Sequence, residues 1–152
     1  MTRRRLLTCA ATLWTARFLP PDARAAAEDE ESRLIASRRT IEASRRLSAD
    51  GWRVRDGLFT TGLTADQPVY VPVHLIGGVQ YLFTAACRPT EQAFTMDLLD
   101  AEGRLVANGL AVDDVRGSAV LHAPERSQRC HLRLGLRSGA LPAQAAVLYV
   151  YR

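Results

Sequence analysis

Val69, Val71, Val73 and Leu75 alternate with Tyr70, Pro72 and His74, the two-residue rhythm of a strand that buries one face. Gly77 and Gly78 follow. A second alternation then places Tyr81, Phe83, Ala85 and Cys87 on one face and Gln80, Leu82, Thr84 and Ala86 on the other. The pattern predicts two strands folded back on each other about the glycine pair. Pro72 has no N–H to give to a ladder, so its strand belongs at a sheet edge.

The same rhythm recurs downstream. Residues 94–99 read as a strand, the Asp100-Ala101-Glu102-Gly103 sequence as a turn, and residues 104–107 as the strand that returns from it. Residues 118–123 give another strand, closed by Pro124. Cys130, Leu132, Leu134 and Leu136 alternate with His131, Arg133, Gly135 and Arg137, and Ala145, Val147, Tyr149 and Tyr151 form the inward row of a last strand. With a short strand around Trp52 and Val54, the count is about eight. This predicts a mainly β fold, a jelly-roll-like antiparallel β-sandwich over residues 51–152.

Upstream the rhythm is helical. Residues 28–50 predict one helix, with Asp29, Glu30 and Glu31 near its start and Gly51 as its stop. Glu42 stands three or four residues from each of Arg38, Arg39, Arg45 and Arg46, a solvated flank held by exposed ion pairs. The opposite flank, Ala36, Thr40, Ala43 and Leu47, is narrow and small. Such a helix packs lightly on something else or stands away as a stalk.

Residues 1–27 have the texture of a cleaved signal peptide. Arg3, Arg4 and Arg5 precede the uncharged run of residues 6–16, and small-residue sites follow at Ala23-Arg24-Ala25 and Ala25-Ala26-Ala27. An 11-residue run is far short of the ~20 residues that span a bilayer as a helix, so export without a membrane span in the mature form is expected. Thr2-Arg3-Arg4-Arg5-Leu6-Leu7 resembles the twin-arginine export motif. Cys9 falls within the removed segment.

The 152 residues suffice for a single domain with its own core. Their formal charge of +4 comes from the first 27 residues, where five arginines face one acid; the remaining 15 arginines and 15 acids cancel. Beyond residue 27 there is no net basic footprint for nucleic acid. All 20 basic residues are arginine, which reads as codon bias.

At this point the order of the pieces, with Gly78, Tyr81, Cys87, Leu98, Asp100, Gly103 and Tyr149 as its firmest matches, resembles the pre-peptidase C-terminal (PPC-like) type of β-sandwich over residues 51–152. The resemblance implies an accessory or binding module of an exported bacterial protein, without catalysis of its own. Relatives often carry acids and a second cysteine after the position of Cys87, whereas this chain reads Arg88-Pro89-Thr90-Glu91-Gln92-Ala93, with Thr95 where an acid would stand.

Candidate chemistry is sparse. No nucleophile-elbow, zincin, C-x-x-C or phosphate-loop motif occurs, so neither catalytic nor cofactor-binding residues are assigned. His74, His122 and His131 would have to converge, with Asp97 or Asp113, to make a metal-dependent hydrolase. Asp113-Asp114 and Asp100 with Glu102 are the candidate oxygen ligands for calcium, which would make a calcium-dependent carbohydrate- or matrix-binding domain. Tyr70, Tyr149, Tyr151 and Trp52 are candidates for an aromatic platform, although Tyr149 and Tyr151 share the inward face. Cys87 and Cys130 either form a disulfide, closing a loop of about 40 residues worth about 3 to 4 kcal/mol, or remain two buried thiols. The expectation is an exported, periplasmic or secreted, non-catalytic envelope module whose partner is a protein or glycan.

Overall fold

A computed structural model describes residues 21–89, 94–112, 117–137 and 140–152. The signal-like residues 1–20, the segment after Pro89, and Asp113 and Asp114 lie outside the described residues. The elements among the described residues are a helix, α1 (Pro21–Ala49), and nine strands: β1 (Arg53–Leu63), β2 (Val69–Leu75), β3 (Tyr81–Arg88), β4 (Phe94–Asp100), β5 (Leu105–Asn108), β6 (Leu110–Val112), β7 (Gly117–His122), β8 (Gln128–Leu136) and β9 (Ala143–Tyr151). They form a β-sandwich. One sheet has the order β1-β9-β3-β7-β6, the other β2-β8-β4-β5, and every strand pair is antiparallel.

The expected mainly β, two-layered antiparallel architecture is present, with β2 at an edge as Pro72 requires. The expected hairpin is not. β2 pairs with β8 in one sheet, and β3 lies between β9 and β7 in the other, so Gly77 and Gly78 turn a corner between layers. Gly78 has φ +78 and donates its N–H to Pro124 O at 2.8 Å. At Gly77 a Cβ would stand 2.9 Å from Arg126 Cα. The glycine pair serves close approach to the β7–β8 loop as well as reversal.

Two further boundaries differ from expectation. β1 runs on to Leu63, bending through a register shift between Val54 and Leu58 where Gly57 takes φ +82, a bulge that hid the strand among glycines and threonines. The ninth strand is the short β6. It follows β5 across Gly109, where the chain passes from one sheet to the other and a Cβ would meet Met96 O at 2.1 Å.

The core lies between the sheets. Tyr81, Phe83, Val120, Ala145 and Val147 from one layer meet Val73, Leu75, Met96, Leu98, Leu132 and Leu134 from the other, and the Phe83 and Tyr149 rings stack at 5.3 Å. Each large side chain so buried contributes about 1.5 to 3 kcal/mol.

α1 starts at Pro21, a residue suited to a first helical turn, so Asp29, Glu30 and Glu31 fall within the helix rather than at its start. Glu30 pairs with Arg33 and Glu42 with Arg38 (3.0 Å). Gly51, at φ +82, follows the helix end. α1 is not a stalk: it packs on the outer face of the five-stranded sheet, against β9, β3 and β1. Ala36, Thr40 and Ser44 form its buried stripe, facing a sheet surface that includes the small residues Thr84, Ala86 and Ala146. The Thr40 hydroxyl reaches both Ala36 O (2.9 Å) and Ala146 O (3.1 Å). Small side chains on both sides permit this approach. Beside the helix, Trp52 packs with Leu148 and Val150, with the Arg152 guanidinium 4.6 Å from its ring. β3 is therefore covered on both faces.

Candidate functional site

The two sheets present unequal outer faces. That of the five-stranded sheet is covered by α1 and Trp52 over β1, β9 and β3, with Leu110 and Leu121 left exposed on β6 and β7, whereas that of the four-stranded sheet carries no covering element among the described residues. Its centre is β8, whose outward residues alternate with the buried Cys130, Leu132 and Leu134. Pairing with β2 creates three rungs: Tyr70 opposite Arg133, Pro72 opposite His131, and His74 opposite Arg129. On the other flank β4 sets Asp97 beside Arg133 and Leu99 beside His131.

Tyr70 is half exposed and His74, Arg129 and Arg133 are exposed. Arg133 Nη2 donates to Asp97 Oδ2 at 2.7 Å. At the end of the ladder a shallow depression of about 500 Å³ is lined by Pro72, His74, Ala101, Arg129 and His131 together with the backbones beneath them. Its polar side chains are a guanidinium and two imidazoles, each able to donate a hydrogen bond.

The structure brings His74 and His131 together as diagonal neighbours on this face and leaves His122 elsewhere. His122 belongs to β7 of the five-stranded sheet, opposite Tyr81; burial pushes its imidazole below the ordinary histidine range, and its Nε2 is buried with no hydrogen-bond partner among the described residues. Asp97 is engaged by Arg133. His122 thus stands apart from the other two histidines, and among the described residues no three histidine, cysteine or acidic side chains cluster to hold a metal ion.

Asp100 and Glu102 do not stand open as calcium ligands. Asp100 Oδ1 accepts the N–H groups of Glu102 (3.0 Å) and Arg104 (2.8 Å), its Oδ2 accepts from Arg104 Nε at 2.7 Å, and Glu102 takes Arg104 Nη2 at 3.0 Å. Desolvation opposes the charge on Asp100, but the Arg104 backbone and guanidinium and the Glu102 N–H together hold its carboxyl below the usual range. These acids build the β4–β5 turn, which Gly103 closes by donating its N–H to Asp100 O at 3.1 Å. Asp113 and Asp114 lie outside the described residues.

Cys87 and Cys130 are both free and buried. Cys130 pairs with Val73 and Asp100, near the corner at Gly77. Cys87 sits six residues along β3 from Tyr81, whose hydroxyl accepts the Ile76 N–H at that corner. Six strand residues span about 20 Å, and a disulfide needs Cα atoms within about 7 Å, so the bridge gives way to two separate thiols. Burial pushes Cys87 up to about 11, only partly offset by a hydrogen bond with the Arg88 backbone. Burial and, less, the nearby Asp100 charge raise Cys130 as well. Ala25 and Ala27, the expected cleavage region, lie exposed in the first turns of α1.

A different feature occupies the seam between the edge strands β1 and β2. A cleft of about 260 Å³, floored by Leu132 and Val147 and lipped by Phe59, Val71 and Pro72, opens there. Toward the Gly77 corner the seam is tied by Arg55, which donates from Nη1 to Tyr81 Oη at 3.0 Å and to His74 O at 3.3 Å.

The arginines of β8 carry a polar alternation already visible in the sequence, but their neighbours follow only from the β2–β8 register. No family model matches this chain, and no curated protein matches it either.

Proposed function

We propose that this chain is an exported, non-catalytic binding or accessory module of the cell envelope, periplasmic or secreted, like the PPC-like sandwiches it resembles. The basic start, the uncharged run and the small-residue sites of residues 1–27 support export. The observation that carries the binding reading is the contrast between the sheets: α1 and Trp52 cover β1, β9 and β3 of one outer face, while the other holds Tyr70, His74, Arg129 and Arg133 in open register. An internal strand such as β8 has its backbone fully paired, so recognition on this face falls to side chains.

The test is capture from the native envelope extract by the tagged protein, with and without chelator, against a Tyr70→Ala/His74→Ala variant. Capture that the variant loses and the chelator leaves intact supports the reading. Capture unchanged by the variant but lost on substituting the outward flank of α1 makes the helix the recognition element and overturns it. Loss with chelator alone transfers the function to a calcium-dependent site.

A further inference from the structure

Resting on the reading that the open face of the four-stranded sheet binds, we infer that its ligand is a linear acidic polysaccharide, whose carboxylate or sulfate groups are held by Arg129 and His131 at the end of the β2–β8 ladder. Two arginines of one strand differ. Arg133 is matched for stability: Asp97 stands beside it and accepts a hydrogen bond at 2.7 Å. Arg129, four residues earlier on the same face, stands opposite the imidazole of His74, with Pro72 and His131 completing the next rung.

Cross-strand pairs gain when opposite charges face each other. Nothing of that kind serves Arg129, whose side chain makes no ion pair or hydrogen bond among the described residues. A guanidinium left without an anion, between two N–H-bearing rings and above a depression of about 500 Å³, is complementary to an oxyanion supplied from outside.

The geometry favours a polymer of sugars. Rungs on one face recur every two residues, about 7 Å, so Arg129 and Arg133 lie about 13 Å apart along a straight line. Pro72, level with the interval between those cations, and Tyr70, opposite Arg133, offer flat C–H and ring surfaces, suited to the faces of sugar rings. An acidic peptide in extended form draws affinity from unpaired strand edges; the free edge beside this site is that of β2, which Pro72 interrupts by having no N–H, and β8, which carries the arginines, is hydrogen-bonded on both sides.

The experiment titrates the exported, processed protein, free of the arginine-rich leader, with polygalacturonate, dextran sulfate, unmodified dextran and poly-glutamate, following Kd by calorimetry at low and physiological salt. The expected result is binding of an acidic polysaccharide, no binding of dextran, and poly-glutamate at least about tenfold weaker. Arg129→Gln, an exposed substitution, weakens the acidic polysaccharide about tenfold, as loss of one charge-assisted contact implies. Arg38→Gln, on the exposed flank of α1, leaves it unchanged. Equal affinity of Arg129→Gln and the unaltered chain, equal binding of dextran, or preference for poly-glutamate overturns the inference. Envelope capture that depends on Tyr70 and His74 would then still stand, separating failure of the ligand assignment from failure of the binding reading.

Discussion

Removing one oxygen from Tyr81 tests how the sandwich is closed along its open side. The Tyr81 ring is fully buried, and its hydroxyl accepts the Ile76 N–H at 2.9 Å and Arg55 Nη1 at 3.0 Å, joining β1, the β2–β3 corner and the core. Tyr81→Phe leaves both donors without this acceptor while keeping the ring. The amide bond is worth about 1 kcal/mol and a bond from a charged donor about 1.5 to 3 kcal/mol. The second is discounted because Arg55 reaches solvent and water can replace part of the loss. The expected destabilisation is about 2 kcal/mol, or about 6 to 10 °C in Tm for a domain of this size. Urea unfolding should show a Cm lower by about 1 M with an unchanged m-value. In a double-mutant cycle with Arg55→Met, about 1 kcal/mol of coupling is expected. A loss below about 0.5 kcal/mol, or additive single effects, would refute the claim that this hydroxyl ties the seam.

Three other outcomes follow from the packing and the charges. Ala36→Leu forces a larger side chain between α1 and the sheet, where Ala36 is fully buried; it should cost about 1 to 3 kcal/mol, whereas a free stalk would tolerate it, and urea unfolding distinguishes the two. The carboxyl of Asp100 is held below its ordinary range, so its contribution is present above the unfolded pKa of about 4 and is lost as pH falls through the lower folded value. The stability difference between the unaltered chain and Asp100→Asn should therefore shrink on acidification below pH 4, and a difference independent of pH would contradict the turn's assignment. Without reductant, Cys87 and Cys130 should resist a thiol reagent in the native state and both react on unfolding; failure to react in urea would restore the disulfide.

The layered β architecture was legible because the inward residues of β2, β3, β8 and β9 follow an unbroken period of two. The edge position of β2 was legible in Pro72, and the β4–β5 turn in Asp100 and Gly103. What misled was locality. Two strands separated by a glycine pair are the sequence pattern of a hairpin, but the carbonyl of Pro124 and the backbone of Arg126, which explain the corner, lie nearly fifty residues away. That single misassignment also concealed the site. With β2 paired to β3, Tyr70 and His74 have no arginine neighbours; with β2 paired to β8, they meet Arg133 and Arg129. Likewise the small flank of α1 suggested weak packing, because the matching alanines of β3 and β9 were read only as strand residues.

Whether the four-stranded sheet is the working surface is tested most directly by amide NMR of the processed protein with and without an acidic polysaccharide. Perturbations concentrated at Tyr70–His74 and Arg129–Arg133, leaving α1 unmoved, are the predicted result. Shifts centred on α1, or on β5 and β6 at the far edge, would contradict it.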